Sequence, residues 1–193
     1  RIKKKIKVIS NRRDLQRYRR KKNRLPIVTL VGYTNSGKST LFNNITKSEI
    51  LAKDMLFATL DSTIRKFNIK NNKFVLIDTV GFIKDLPTHL IAAFKSTLDE
   101  IISSDIILHI RDVSNSDSLK QKNDVLSILD SLGIDSDDDR IVEVLNKIDL
   151  HSNFSNITEN DFKKYMYISA TKKIGFTHLK EKIFKKYQAL SSS

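Results

Sequence analysis

The chain has 193 residues, of which 39% are hydrophobic, so it is long enough for one globular domain with a sizeable core and a short appendage. It contains no cysteine, which excludes disulfide bonds, thiolate chemistry and the usual zinc sites. The net charge is +13, yet residues 1–24 alone hold thirteen Lys and Arg against the single acid Asp14. The rest of the chain is therefore almost neutral.

Residues 1–24 are predicted to form a basic helical or linker segment, followed by one domain over 25–190 and a tail over 191–193. So dense a positive charge favours contact with phosphate, above all RNA, and a solvated helix or linker is the alternative. Arg1 stands where an initiator Met is expected, which indicates a piece of a longer protein. The sequence has no apolar run of about 18 residues to cross a bilayer and no secretory signal, so we expect a soluble, cytoplasmic protein.

The stretch 27–41 carries the strongest motif of the chain. An apolar run rich in Ile and Val predicts a buried strand, and Gly32, Gly37, Lys38 and Ser39 then have the spacing of a phosphate-binding loop. In that spacing the glycines let backbone N–H groups turn toward phosphate oxygens, the lysine reaches the outer phosphates, and the serine hydroxyl can bind Mg²⁺. The predicted strand before the loop and helix after it argue against a chance match.

The elements that follow alternate between strands and helices. Residues 47–62 lack periodicity and are predicted to be a loop, and 64–78 an antiparallel hairpin that turns at Asn71 and Asn72. Apolar spacing then predicts a helix over 90–102, a strand over 106–110, a helix over 119–132 that ends at Gly133, strands over 141–145 and 165–168, and a helix over 174–190. This order predicts an α/β fold, a three-layer P-loop NTPase with a mostly parallel six-stranded sheet and one antiparallel strand.

Two groups of potential metal ligands are assigned no site. The acidic run 135–139 lacks the Gly and the distal Glu of a calcium loop, so it is predicted to be a solvated turn. The four histidines show no metal-ligand spacing and are expected to be structural or solvated: His89, His109, His151 and His178.

Three polar motifs follow predicted strands, at the sheet edge where ligands of such folds bind. Asp78 offers a carboxylate for an indirect, water-mediated Mg²⁺ contact, and Gly81, three residues on, offers an N–H for the terminal phosphate. In the run 146–149, Asn-Lys-Ile-Asp, the carboxylate of Asp149 can accept hydrogen bonds from both N1–H and the 2-amino group of guanine. Adenine lacks these donors and would leave a buried charge unpaired, which selects GTP over ATP. The backbone at 169–170 would meet the guanine oxygen.

These strings together resemble the HflX family of translation-factor-class GTPases (Obg/HflX-like). The resemblance covers about residues 12–190 and includes Gly-Tyr-Thr-Asn-Ser-Gly-Lys-Ser-Thr-Leu-Phe-Asn (32–43), Leu-Phe-Ala-Thr-Leu-Asp (56–61) and Asp-Thr-Val-Gly-Phe-Ile (78–83). It implies a Ras-like G domain that binds GTP or GDP with Mg²⁺ and hydrolyses GTP, acting as a switch on the large ribosomal subunit and its rRNA. It also implies a further amino-terminal ribosome-contacting domain outside these residues, a role in separating or rescuing stalled ribosomes, and a monomer.

The expected site residues come from these motifs and from the resemblance. For nucleotide they are Gly32, Tyr33, Thr34, Asn35, Ser36, Gly37, Lys38, Ser39, Thr40, Phe57, Ala58, Thr59, Leu60, Asp61, Asp78, Thr79, Val80, Gly81, Asn146, Lys147, Ile148, Asp149, Ser169, Ala170 and Thr171. The expected Mg²⁺ contacts are Ser39, Thr59 and Asp78, although on chemistry alone Thr63 competes with Thr59. Family members commonly continue this loop with Pro-Thr-Thr-Arg, whereas this chain has Ser-Thr-Ile-Arg at 62–65, which leaves the loop shape open.

The expected catalytic groups are Lys38, Asn35 and Gly81. Ras-like enzymes place a Gln directly after the Gly that corresponds to Gly81, and this Gln orients the attacking water. This chain has Phe82 there, which can form no side-chain hydrogen bond. We therefore expect slow intrinsic hydrolysis completed by a partner. Asn35 resembles the potassium-coordinating Asn of related GTPases, and a bound K⁺ would supply positive charge at the transition state.

Two other functions compete with this interpretation. One is a ribosome- or RNA-binding module in which GTP controls affinity and hydrolysis is negligible, which Phe82 favours. The other is a nucleotide kinase, which shares the phosphate loop but needs an arginine-rich lid. Beyond residue 24 the only arginines are Arg65, Arg111 and Arg140, which argues against the kinase.

Overall fold

Six strands form one sheet with helices on both of its faces. The computed structural model describes residues 25–46, 63–82, 95–150 and 165–191. Its elements are β1 (Ile27–Val31), α1 (Lys38–Thr46), β2 (Thr63–Ile69), β3 (Asn72–Asp78), α2 (Lys95–Ile102), β4 (Ile106–Asp112), α3 (Ser118–Ser131), β5 (Ile141–Asn146), a 3-10 turn (Ile148–Leu150), β6 (Met166–Tyr167) and α4 (Phe176–Ser191). The basic segment 1–24, the loop predicted over 47–62 and the start of the helix predicted over 90–102 lie outside the described residues.

The strands lie side by side in the order β2-β3-β1-β4-β5-β6. The β2–β3 pair is antiparallel and the other four pairs are parallel, which confirms the predicted hairpin and fold class. A parallel sheet covered on both faces buries its central strands from both sides. Accordingly the first five residues of β4, Ile106–Ile110, are all buried.

Each face of the sheet has its own hydrophobic core. The larger core joins the sheet to α1 and α4, whose apolar side chains Leu41, Phe42, Leu179 and Ile183 lie in it. The smaller core joins the other face to α2 and α3 and consists of Val31, Phe82, Ile101, Ile107, Val125, Leu129 and Ile134. The two cores fix the ends of β1, β3, β4 and β5, where the polar motifs lie.

The hairpin turn lies one residue earlier than predicted. Lys70 and Asn71 have positive φ angles of 45° and 63°, whereas Asn72 already belongs to β3. A tight hairpin needs two successive residues in this left-handed region. The Asn72 side chain stabilises the turn by donating from Nδ2 to the Lys70 carbonyl at 2.9 Å, so it contributes a side-chain hydrogen bond, and the positive φ belongs to its neighbours.

The ends of two helices also differ slightly from prediction. The helix predicted over 119–132 is α3, and Gly133 with φ of 76° follows its end as predicted. The helix predicted over 174–190 begins only at Phe176, because Ile174 exchanges two backbone hydrogen bonds with Ser169 and so closes a loop. The strand predicted over 165–168 is reduced to Met166–Tyr167.

The structure describes the acidic run 135–139 and two of the four histidines, His109 and His178. In the acidic run 135–139, Asp138 pairs with Arg140 at 2.7 Å. His109 is buried, and burial is the main cause that lowers its pKa to about 4, so it is neutral near pH 7. Within the described ranges, no group of three or more His, Cys, Asp or Glu residues could hold a metal ion. Nor does any helix in those ranges have the length and apolarity needed to cross a membrane.

Candidate nucleotide-binding site

Two glycines of the phosphate loop lie where no side chain fits. Gly32, directly after β1, has φ of 152°, and a Cβ there would lie 2.3 Å from the Ile110 carbonyl oxygen. Gly37, directly before α1, has φ of 93°, and its Cβ would lie 2.2 Å from Nδ2 of Asn146. Real Cβ atoms do not approach other atoms so closely, so both positions require glycine. The loop therefore lies directly against the Ile110 carbonyl of β4 and the Asn146 side chain of β5.

Lys38 folds back over the phosphate loop. Its Nζ donates to the carbonyl oxygens of Gly32 at 3.0 Å and Tyr33 at 2.9 Å, and its side chain is only 5% exposed. Burial lowers the pKa of Lys38 to about 8, and the negative charge of Asp78 partly opposes this change. The lysine is thus a largely desolvated cation, for which a phosphate is a stronger acceptor than two neutral carbonyls.

The segment 78–82 lies against the phosphate loop. Phe82 and the loop exchange backbone hydrogen bonds, from Phe82 N–H to the Gly32 carbonyl at 3.0 Å and from Thr34 N–H to the Phe82 carbonyl at 2.8 Å. Gly81 is buried here, and a Cβ on it would lie 2.8 Å from Thr34 and 3.1 Å from Nζ of Lys38. Asp78, at the end of β3, is 2% exposed. The structure thus brings Asp78, Lys38 and Gly81 together.

Asn146 links the phosphate loop to the loop after β6. Its Nδ2 donates to the Ser36 carbonyl at 2.8 Å, and its Oδ1 accepts the Ala170 N–H at 2.9 Å. The side chain is 1% exposed, so both hydrogen bonds are sheltered from water. The sequence predicts that the backbone at 169–170 meets the guanine oxygen. A guanine oxygen at this place would share the Ala170 N–H with Asn146.

Lys147 and Asp149 follow Asn146 at the end of β5. Lys147 has a positive φ of 63°, and its Nζ forms an ion pair of 2.8 Å with Asp112 at the end of β4. The other carboxylate oxygen of Asp112 accepts hydrogen bonds from the N–H and hydroxyl of Ser114. Asp149 lies in the 3-10 turn Ile148–Leu150 and is partly exposed.

The loop from Ser169 to Gly175 completes this side of the site. The Ser169 hydroxyl oxygen accepts the Lys172 N–H at 3.0 Å, and a Cβ on Gly175 would lie 2.2 Å from the Tyr167 carbonyl. From α1, Nδ2 of Asn44 donates to the Ala170 carbonyl at 2.9 Å. The backbone of Ala170 is therefore fixed at both its N–H and its C=O.

Most of the expected site residues converge on one sheet edge. The four described groups, 32–40, 78–81, 146–149 and 169–171, follow β1, β3, β5 and β6. The expected residues Phe57, Ala58, Thr59, Leu60 and Asp61 lie outside the described residues. Sequence reasoning missed Asn44 and Asp112, because an Asn within a helix and an Asp after a strand have no distinctive local pattern.

Comparison with known proteins agrees with this geometry. A sequence-family model described as a 50S ribosome-binding GTPase matches residues 27–147. The chain is also 43% identical over 183 residues to GTPase HflX of Caldanaerobacter subterraneus subsp. tengcongensis, which covers 94% of this chain and 41% of that protein. The chain belongs to the HflX family of GTPases. It is also 40% identical over 164 residues to HflX of Escherichia coli, covering 83% of this chain and 37% of that protein.

A solved structure extends the similarity to three dimensions. A GTP-binding protein from the hyperthermophilic archaeon Sulfolobus solfataricus, in complex with GDP, has a TM-score of 0.64 and 28% identity. The match covers 97% of this chain and 61% of that one. The present chain spans about two fifths of the two HflX proteins named above.

Proposed function

We propose that this chain binds GTP and GDP and hydrolyses GTP, as the G domain of a ribosome-associated switch. The observation that supports this most is the position of Asn146, between the phosphate loop and the Ala170 peptide, with Asp149 three residues on. A phosphate site and a base site joined by one side chain suit a ligand that has both groups. Lys38 and the N-terminus of α1 would hold the phosphates, while Asp149 would select guanine.

The base preference can be tested by changing one hydrogen-bonding group of the protein together with the matching group of the ligand. Asp149→Asn replaces a carboxylate oxygen by an amide donor, and xanthosine triphosphate carries an oxygen where guanine carries its 2-amino group. We expect wild type to prefer GTP over ATP and over the xanthosine nucleotide, and Asp149→Asn to reverse the second preference, as measured by calorimetry. Equal binding of GTP and ATP by wild type would refute the guanine site.

A magnesium ion would suit the residues beside Lys38. Ser39 and Asp78 supply the hydroxyl and carboxylate oxygens that Mg²⁺ prefers, and Thr59 is the third proposed contact. When bound, the ion would neutralise charge on the phosphates. We expect Ser39→Ala to weaken GTP binding in Mg²⁺ much more than in excess chelator, since the hydroxyl acts through the metal.

Hydrolysis is proposed to be slow in the isolated chain. The Phe82 side chain lies in the smaller core and is 5% exposed, so it neither binds nor orients water. Asn35 is exposed, has a positive φ of 58° and is the proposed contact for K⁺. Turnover that is equal in Na⁺ and K⁺ would refute the potassium site without affecting the guanine site.

We further propose that the full-length protein is a cytoplasmic monomer that binds the large ribosomal subunit and its rRNA. The family model and the HflX relatives support the ribosome as partner. The competing function is a nucleotide-gated ribosome-binding module with negligible hydrolysis, which the burial of Phe82 favours. Single-turnover hydrolysis with and without added large or small subunits separates the two. Stimulation by large subunits supports the switch, and undetectable hydrolysis under all conditions supports the module.

A further inference from the structure

Charge in the described domain is divided between the two faces of the sheet. The hairpin residues 63–77 contain four basic and no acidic side chains, and residues 170–191 contain six Lys and one Glu. In contrast, residues 95–150 contain six basic and thirteen acidic side chains. The hairpin and α4 pack on the larger core, whereas α2 and α3 pack on the smaller one. The hairpin and α4 are therefore net positive, and the span that carries α2 and α3 is net negative.

The positive side chains of the hairpin and of α4 belong to one continuous surface. The Nζ of Lys70, in the hairpin turn, lies 5.4 Å from the ring centroid of Phe184 on α4. Behind it, the rings of Phe74 and Tyr187 pack edge to face at 5.3 Å. Lys182 and Lys185 are exposed on the same helix. We define the cationic face by Arg65, Lys70, Lys182 and Lys185.

The four cations of this face have no acidic partner among the described residues. In the part of the chain that the structure describes, none of the four forms an ion pair with a carboxylate. On the opposite side, Arg111 and Lys122 pair with Glu143 and Arg140 pairs with Asp138. On α4, Lys186 lies outside the defined face and pairs with Asp139 at 3.3 Å. The cationic face is thus available to an external polyanion.

We propose that the cationic face binds the phosphate backbone of RNA. The choice of RNA among polyanions rests on the proposed ribosome association, whereas the charge separation does not. The sixteen residues of α4 span about 24 Å, along which a nucleic acid duplex presents roughly fourteen charges at one per 1.7 Å. Lysines on a helix surface are point contacts for phosphate, so the binding should be strong at low salt and indifferent to base sequence.

The test asks whether RNA binding depends on where the charges lie or only on the total charge of the chain. The first variant of the 193-residue chain replaces Arg65, Lys70, Lys182 and Lys185 by Gln. A second variant replaces the exposed acids of the other face by Asn, namely Asp117, Asp130, Asp135 and Asp137. A third combines all eight replacements and restores the wild-type net charge of +13. Binding to a 20-base-pair RNA duplex is measured from 50 to 300 mM KCl without nucleotide.

The first variant should bind at least about tenfold more weakly near 0.1 M salt, with a salt slope lower by about one for each phosphate that the protein no longer neutralises. The third should remain as weak as the first, and the second should bind at least as tightly as wild type. Wild-type affinity in the first or third variant would overturn the proposal, since binding would then follow the basic segment or total charge alone. Tighter binding to anionic phospholipid vesicles than to RNA at equal salt would also overturn it.

Folding and nucleotide binding serve as controls on the same proteins. All replaced side chains are exposed, so urea unfolding and GDP affinity should stay close to wild type. Loss of RNA binding with unchanged GDP affinity supports the cationic face. Intact RNA binding by the first variant, together with ribosome-stimulated hydrolysis, refutes this face and leaves the proposed function standing.

Discussion

Asn146→Ala is the substitution with the largest expected effect on both stability and nucleotide binding. It removes the donor to the Ser36 carbonyl and the acceptor of the Ala170 N–H, at 2.8 and 2.9 Å. Ser36 is 1% and Ala170 3% exposed, so water does not replace the missing partners. A buried polar group left without a partner costs about 1–3 kcal/mol, which predicts a loss of about 2–6 kcal/mol in the free energy of unfolding.

Asn44→Ala is the matched control, because it acts on the same residue, Ala170, through the following peptide group. It removes only the hydrogen bond to the Ala170 carbonyl, and Asn44 is half-buried, so the expected loss is about 1 kcal/mol. Since both side chains hold the backbone of one residue, the double variant should deviate from additivity by about 0.5 kcal/mol or more. Urea unfolding of the nucleotide-free proteins gives these free energies directly.

Ligand fragments then test whether Asn146 couples the two halves of the site. Pyrophosphate probes the phosphate loop alone and guanosine probes the base side alone. Asn146→Ala should weaken both fragments, whereas Asn44→Ala should weaken guanosine and leave pyrophosphate nearly unchanged. The coupling is refuted if Asn146→Ala unfolds at the wild-type urea concentration, or if it weakens one fragment only.

Three further substitutions test other parts of the site. Gly37→Ala should lower the free energy of unfolding by about 1–3 kcal/mol and abolish GDP binding, because a Cβ would lie 2.2 Å from Asn146. Gly133 is the control: its φ of 76° is also positive, but no atom lies within 4 Å of its Cβ position, so Gly133→Ala should leave GDP binding intact. Burial lowers the pKa of Lys38 from 10.5 to about 8, so its charge destabilises the nucleotide-free fold by about 3 kcal/mol below pH 8. Lys38→Met should therefore unfold at a higher urea concentration than wild type at pH 7, yet bind GTP more weakly. The difference in urea midpoint should shrink between pH 8 and 10.5, and a difference that grows with pH would contradict this reasoning. Asp112→Asn should weaken GDP binding about threefold to tenfold by releasing Lys147, while Asp138→Asn, which breaks the ion pair with Arg140, should leave GDP titrations unchanged.

The sequence was informative wherever a local pattern has a local physical cause. The phosphate-loop spacing, the apolar strands and the antiparallel hairpin were predicted because glycine conformation and side-chain alternation act within a few residues. The turn at Lys70 and Asn71 was misplaced by one residue. Asparagine favours turns both by adopting positive φ and by side-chain hydrogen bonding, and adjacent Asn residues do not reveal which of them does which.

What the sequence could not reveal depends on contacts between distant segments. Asn44 reaches Ala170 across 126 positions, and no pattern within α1 signals it. The charge on each face was hidden for the same reason, because total charge beyond residue 24 sums the hairpin, α3 and α4 before their positions on the sheet are known. Knowing the strand order is what separates them.

The buried ring of Phe82 couples any movement of residues 78–82 to the smaller core. Its ring is embedded in the smaller core, and its backbone is bonded to the phosphate loop through Gly32 and Thr34. Withdrawing a phenylalanine ring from a core costs about 1.5–3 kcal/mol, equivalent to a population ratio of roughly ten to 150. A movement of the Gly81 peptide that carried this ring outward would therefore be rare in the free protein. A ligand that favoured such an arrangement would have to supply that energy through its own contacts.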